Sequence, residues 1–481
     1  MLSITFVLPL LYALSVATNA DDANATINSA VASVTKSPTT NVNICCKALQ
    51  LALGSKVSYL SSSAYSTFLN NFYSQQESQL SPGCIVSPTS TIDVSISVGI
   101  LSILGKLANW SPSCQFAIRS GGHAPGVSQA NINQGVTIGL SPLNFIDVST
   151  DHSVVSVGPG LKWGEVYLKL DALQLAVPGG RVNSVGVGGL TIGGEWNILF
   201  LSQERIHMWT MSKNFEIVLA SGKIVNANAN LNPDLYLALK GGSNNLGVVT
   251  RIDFYAFQQG KLWGGNILYP ATTADQQINA LADFSTGRKS VSIPALYGNS
   301  ASILQHLRIT NLTDIGSETG GTFMQLTAPG TPLFPPFNHS PILPGHYHLN
   351  QFPVNIPAKS ASAGGNLLGV TPADGPLIVA LLTATWGNIA DDTVVDNTAK
   401  NMFDTIDAYA KASGFYNDWQ YLNYAANWQD PIDGYGAVNK AKLQAASKSM
   451  IRWVFFRRGL REGLNFCLIE GLLESYLGFR G

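Results

Sequence analysis

Three glycine-bearing turns and one histidine are the residues of this chain whose types and spacing could do chemistry. They are Arg119-Ser120-Gly121-Gly122-His123, the run SVGVGGLTIGG from Ser184 to Gly194, and GGSNNLGVVT from Gly241 to Thr250. A glycine carries no Cβ, so backbone N–H groups around it can close on an anion such as a pyrophosphate. None of the three is a P-loop, because no Lys-Ser/Thr ends the turn. None carries the G-x-G-x-x-G fingerprint of a doubly wound NAD-binding sheet either. His123 directly follows Gly-Gly at a strand end. Its imidazole is both a base and a nucleophile, although that fact alone is equally met by a structural turn histidine. The other six histidines show no H-E-x-x-H or Cys/His spacing, and His346 and His348 read as loop residues, so no metal site is expected. Strings resembling G-x-S-x-G lack a strand–elbow–helix setting, which argues against a serine hydrolase.

The elements that must position these turns are legible from Cys84 onward. CIVSP is a short apolar strand. Thr89, Ser90 and Thr91 then offer N-caps to an apolar helix ending near Lys106. QFAIRS, GVTIGL, NFIDVS and SVVSVGPG are strand-length runs bounded by Gly, Pro or Asp. WGEVYLKLDAL is helical by period, and NFEIVLASGKIVNANA is a hairpin turning at Ser221 and Gly222. DLYLALKGG is a short helix stopped by Gly241, and LGVVTRIDFYAF is a further strand. Ser184–Gly194 is too glycine-rich for a regular element. Past Phe257, alternating segments mix with helical ones such as QQINALADF and NTAKNMFDTIDAYAKA, and a Pro-rich loop from Pro329 to Pro344 divides them. This reads as a second lobe.

CIVSPTSTIDV, RSGGHAPG, VPGGRVNSVGVGGLTIGG, NFEIVLASGKIVNANANLNPDLYLALKGGSNNLGVVTRID and LNYAANWQDPIDGYG occur in order, within a likeness that covers most of the chain from Cys45 to about Ser447. Together they resemble the secreted, berberine-bridge-enzyme-like FAD-linked oxidoreductases of fungi, within the vanillyl-alcohol-oxidase superfamily. The resemblance implies an α+β fold: a two-part PCMH-type FAD-binding domain with an inserted substrate domain of antiparallel sheet plus helices. The implied divisions are a signal peptide at 1–20, a disulfide-linked segment at 21–80 and the FAD-binding domain at 81–258. A substrate domain at 259–420, a return to the FAD domain at 421–448 and a divergent tail at 449–481 follow.

The same resemblance implies that FAD is held by Arg119, Ser120, Gly121, Gly122, His123, Ser184, Val185, Gly188, Gly189, Gly193, Gly247 and Val248. His123 would bond covalently to the flavin's methyl carbon, raising its potential and fixing the ring. Some relatives add a cysteine bond just before the VGVGG string. Val182 stands there in this chain, so a single covalent link is expected. Tyr421 matches the family's candidate base, with Tyr424 as a second choice and Asn423 touching flavin or substrate. A phenol, with its ordinary pKa near about 10, needs a cationic or buried setting to serve as a base near neutrality. The reaction implied is hydride transfer from an alcohol, sugar or secondary metabolite to the flavin, which molecular oxygen then reoxidises. The alternative is a noncatalytic or cofactor-deficient secreted glycoprotein of the same fold.

Composition agrees with a secreted two-lobe protein. At 481 residues the chain is too long for one ordinary domain. Its 28 basic against 29 acidic side chains give no field that would draw in nucleic acid or an anionic membrane. The opening run MLSITFVLPLLYALSVATNA reads as a secretory signal cut after Ala20, although it lacks Lys and Arg. No later stretch keeps about twenty apolar residues free of charge, so no membrane partner is expected. Cys45, Cys46, Cys84 and Cys114 suggest two bridges. Vicinal cysteines rarely pair, which leaves two connectivities open. Asn24, Asn109, Asn311 and Asn338 each open an N-x-S/T sequon.

Two stretches depart from the family strings: Glu195 to Lys213, and Ser449 onward. Back-translated and read one base along, Trp196–Met208 can spell GISFFSPKKGFTC, and Ser449–Arg458 can spell YDPVGVFQK, both close to the family's own text. Arg452, Arg457, Arg458, Arg461 and Arg480, five of the chain's 11 arginines, fall in the tail. Both stretches therefore read as out-of-frame translation, which resequencing of the transcript tests. Glu195, placed where relatives carry glycine, would set bulk and negative charge beside the cofactor's phosphates. Cys467 in the tail would be an unpaired fifth thiol.

Overall fold

The computed structural model describes residues 20–36, 43–108, 112–194, 212–264, 267–268, 273–285, 304–305, 308–310, 324–327, 343–352 and 365–450. Most of both departing stretches, residues 1–19, most of the Pro-rich loop, Cys467 and the sequons other than Asn24 lie outside the described residues.

The first half begins with helices α1 (Ala20–Lys36) and α2 (Ile44–Leu53), strand β1 (Val57–Ser58), and helices α3 (Ser63–Leu69) and α4 (Gln75–Ser78). Next come β2 (Cys84–Val86), α5 (Thr91–Leu107), β3 (Phe116–Arg119) and β4 (Val136–Gly139). The first sheet has the order β1-β2-β4-β3. Its β2–β4 and β4–β3 pairs are parallel, and β1 is added antiparallel at one edge. Strands as short and apolar as CIV suit a parallel sheet covered on both faces. Ser90 caps α5 by accepting from the Asp93 N–H at 3.2 Å, and the Asp93 carboxylate in turn receives Lys56 at 2.6 Å. The helix is apolar nearly all round, and 12 of its 17 residues are buried between α1 and α2 on one side and the second sheet on the other.

The second sheet is wholly antiparallel, with β5 (Ile146–Val148), β6 (Val154–Val157), β8 (Ser212–Val218), β9 (Ile224–Ala227) and β10 (Val248–Tyr255) in the order β5-β6-β10-β8-β9. Between β6 and β8 lie α6 (Trp163–Asp171), β7 (Leu175–Ala176) and α7 (Val187–Ile192). The β8–β9 hairpin turns where expected, with Gly222 at φ +82°. α8 (Pro233–Leu239) follows it, and β11 (Phe257–Gln258) pairs with β7.

The inserted lobe has two short strand pairs, Leu262–Gly264 with Arg308–Thr310 and Ile267–Leu268 with Leu304–Gln305. It also has helix α9 (Ala274–Ser285) and an antiparallel sheet of β12 (Met324–Thr327), β13 (Leu343–Phe352) and β14 (Leu377–Thr385). His346 and His348 belong to β13 and are not loop residues: the period-two run H-Y-H-L pairs with β14 along its length. After α10 (Asp392–Ala412) the chain returns to the first half. Ile432, Tyr435 and Leu443 join the core built on Trp163, Phe215 and Phe254, and α11 (Ala437–Met450) packs on α8. The result is the expected α+β architecture, with the return segment packed into the core of the first half.

Disulfides Cys45–Cys114 and Cys46–Cys84 tie α2 to the parallel sheet, which selects one of the two open connectivities. Among the described residues no helix is long and apolar enough to cross a membrane.

Candidate active site

The first turn leaves β3 at Arg119. Its guanidinium donates to the Phe68 and Asn71 carbonyls at 3.1 and 2.6 Å, and lies 4.4 and 4.3 Å from the Phe68 and Phe72 rings. Burial pulls its pKa down to about 10, still cationic at neutrality. Arg119 thus braces α3 against β3 beneath the turn. Ser120 Oγ donates to the Pro159 carbonyl at 2.5 Å and accepts from the Gly188 N–H at 3.2 Å. Gly121 lies against Gly186 so closely that a Cβ on Gly121 would sit 2.3 Å from the Gly186 Cα. The first and second glycine turns are therefore docked backbone to backbone.

The second turn is more regular than its composition suggests. Val187–Ile192 is an α-helix, α7, with Gly188 and Gly189 inside it. Tertiary contacts override the poor helix propensity of glycine here. Val187 and Ile192 are buried in the core, Thr191 donates to the Val187 carbonyl, and a Cβ at Gly188 would meet Ser120 Oγ at 2.8 Å. A Cβ at Gly193 would lie 2.1 Å from Asn423 Oδ1, so the return segment is pressed onto the end of α7. The third turn meets α7 as well: the Gly241 N–H, at φ +119°, donates to the Ile192 carbonyl at 3.0 Å. Gly247 and Val248 stand further off in that turn. They open β10 against Ile217 and Val218 of β8.

His123 is half-buried on the first turn. Tyr73 stacks on its ring with centroids 4.0 Å apart and planes 23° from parallel, and the Tyr73 N–H donates to the Gly122 carbonyl at 2.8 Å. Burial and the nearby Lys162 charge depress the His123 pKa to about 4, against a hydrogen bond to the Ser184 carbonyl that favours the proton. The imidazole is therefore neutral at physiological pH. Past it, Gln129 Nε2 donates to Asn427 Oδ1 at 2.9 Å, joining this loop to the return segment.

On the return segment, buried Tyr421 accepts a hydrogen bond from Asn423 Nδ2 at 2.9 Å, and the same amide donates to the Leu190 carbonyl at 3.1 Å. The Tyr421 and Tyr424 rings meet edge to face at 4.7 Å. Arg181 donates to the Tyr424 hydroxyl. Burial pushes the Tyr424 phenol up, and the guanidinium opposes that rise. The cationic neighbour of the tyrosine pair is thus Arg181.

A cleft of about 630 Å³ opens beside the first turn, lined by Asn71, Ser120, Gly121, Asn144, Lys162 and Glu165 among others. The Gly121, Gly122 and His123 N–H groups have no protein acceptor among the described residues. Gly121 shares this cleft with Lys162, and the run of unpaired N–H groups continues past it through Gly122, at φ +70°, which suits a pyrophosphate. FAD fits these residues. Of the side chains that complete the site, Tyr73, Lys162 and Arg181 were not anticipated. Arg181 stands in the VPGGR string, but Tyr73 and Lys162 carry no local signal.

A family profile described as an FAD binding domain matches residues 82–228. The chain is 30% identical to the FAD-dependent monooxygenase sdcF of Emericella nidulans over 87% of this chain and 98% of that protein. It is 31% identical to the FAD-dependent monooxygenase tpcD of Cochliobolus heterostrophus over 76% of this chain and 82% of that one. Among solved structures it resembles the xylooligosaccharide oxidase of Myceliophthora thermophila. That match has a TM-score of 0.62 at 16% identity, covering 87% of this chain and 98% of the other. The fold, the docked glycine turns and these likenesses define an FAD-linked oxidoreductase. The chain belongs to the family of these fungal FAD-dependent enzymes, and it shares its fold with the solved oxidase.

Proposed function

We propose that this protein is a secreted oxidase that carries FAD on a single covalent bond from His123 and takes hydride from an alcohol, sugar or secondary-metabolite carbon. The observation that carries the reading is the docked pair Gly121–Gly186, followed by N–H groups at Gly121, Gly122 and His123 that have no acceptor among the described residues and lead to a neutral imidazole. FAD supplies the two-electron acceptor when bound, and oxygen takes those electrons afterwards. Ser120 holds the second turn in place through Pro159 and Gly188, and Lys162 offers positive charge to the phosphates. Val182 offers no second nucleophile. Tyr421 removes the substrate proton. The Asn423 amide donates to its oxygen, stabilising the negative charge that develops there, and Arg181 on Tyr424 brings a cation to the same aromatic pair. The two disulfides suit an oxidising compartment, which supports secretion, and Asn24 is exposed on α1 for a glycan.

Purified protein should be yellow and stay yellow after acid precipitation, and His123→Ala should lose the acid-stable colour. Colourless protein with normal secretion would point instead to a noncatalytic relative. Tyr421→Phe should lower turnover by about 10²- to 10⁴-fold while leaving flavin content unchanged. Unaltered turnover would remove Tyr421 from the base role. Peroxide release against a panel of sugars and phenolic alcohols would identify the substrate class. The names of the relatives from Emericella and Cochliobolus support a second reading, oxygen insertion. Under isotopically labelled oxygen, label in the peroxide alone supports the oxidase, and label in the organic product supports insertion.

A further inference from the structure

We infer that Tyr73 is a positioning residue for cofactor attachment: it holds the His123 imidazole so that one ring nitrogen presents its lone pair, edge-on, to the flavin methyl carbon. The inference rests on the histidyl link proposed above. Tyr73 is fixed to the turn twice, by its stacked ring and by its N–H to the Gly122 carbonyl. Stacking occupies a face of the imidazole and leaves its edge open, and the nitrogen lone pair lies in the ring plane along that edge. The Ser184 carbonyl takes the ring N–H, which fixes the tautomer and assigns the lone pair to the other nitrogen. Burial keeps that lone pair unprotonated at neutral pH. Tyr73 is itself 64% exposed, so its ring covers little core, and the contact it makes is with His123.

In the attachment step the free imidazole nitrogen bonds to the methyl carbon as a methyl C–H bond breaks. The imidazole then gives up its N–H proton. The two hydrogens released and the electron pair remain on the flavin, which is left two-electron reduced. Dioxygen, the oxidant, removes both electrons and two protons as hydrogen peroxide. While the new bond forms, the imidazole becomes cationic, and the Ser184 carbonyl is placed to stabilise that charge.

The test compares Tyr73→Phe, Tyr73→Ala and Tyr73→Leu with wild type and His123→Ala, all produced with ample riboflavin. Covalent flavin is read by intact mass after acid denaturation, and total bound flavin by absorbance of the native protein. Tyr73→Phe should attach flavin at the wild-type rate. Tyr73→Ala should attach it about 3- to 10-fold more slowly, the rate equivalent of one aromatic stack, while still binding flavin. Tyr73→Leu, which fills the space without a planar face, should behave like alanine and serves if the alanine variant does not fold. Attachment at the wild-type rate in Tyr73→Ala or Tyr73→Leu overturns the inference. Absence of covalent flavin in wild type, or its survival in His123→Ala, overturns the histidyl link itself, and with it this inference.

Discussion

At the residue scale, Glu77 and His123 give the first lobe two opposed pH dependences. Glu77 is fully buried in α4, and its Oε1 accepts from the Gln129 and Ala130 N–H groups at 2.6 and 3.1 Å. Those bonds fasten the loop that follows His123. Burial pushes the Glu77 pKa up to about 7 against an ordinary 4.5. The folded state therefore holds a proton that the unfolded chain releases. This contribution is fully present below pH 4.5 and is lost as pH rises through 7. In flavin-free protein His123 runs the other way: its contribution is complete above pH 6.5 and is lost as pH falls through 4. Glu77→Gln mimics the protonated acid, so its stability relative to wild type should climb between pH 4.5 and 7, read as urea midpoints at each pH. A difference that stays constant over that interval would show that Glu77 ionises normally. His123 was legible in the sequence because it ends a Gly-Gly turn. Glu77 and Tyr73 were not, since nothing in NFYSQQES marks Glu77 for burial or Tyr73 for stacking on His123.

At the element scale, the site depends on two glycine turns that close on each other. Gly121→Ala would drive a Cβ into the Gly186 backbone, a contact neither side can relieve by rotating a side chain. It should cost about 1–3 kcal/mol in denaturant unfolding and abolish flavin retention. Gly189 in α7 has nothing within 4 Å of an added Cβ, so Gly189→Ala should stabilise flavin-free protein by about 0.5–1 kcal/mol. Equal effects at the two positions would contradict the docking. The sequence pointed to both turns but missed α7, because local propensity disfavours a helix with two internal glycines. Contacts with Ser120, Asn423 and the core, invisible to any local window, form it. Strands such as CIV and FAIR and the helix TIDVSISVGILSILGKL were legible because cap, period and length agree in each.

At the scale of the whole molecule, the N-terminal helices are stapled to the parallel sheet by bridges closing separations of 69 and 38 residues. Replacing Cys46 and Cys84 together with alanine should cost roughly 4 kcal/mol on the chain-entropy account, measured by calorimetry or denaturant. An unshifted transition would mean that α2 holds its place without the link. The order of lobes was legible because a run of strands gave way to mixed segments and then to the distinctive LNYAANWQDPIDGYG. How the return segment seats was not, because Asn423 against Gly193 and Tyr435 on Gly241 are pairings across some 200 residues. The return segment that carries Tyr421 and Asn423 reaches the glycine turns only through those long-range contacts. Peptide mapping of acid-denatured, riboflavin-fed protein tests the central claim most directly. The account predicts one flavin adduct, on the peptide bearing His123, whereas an unmodified peptide or an adduct elsewhere would contradict it.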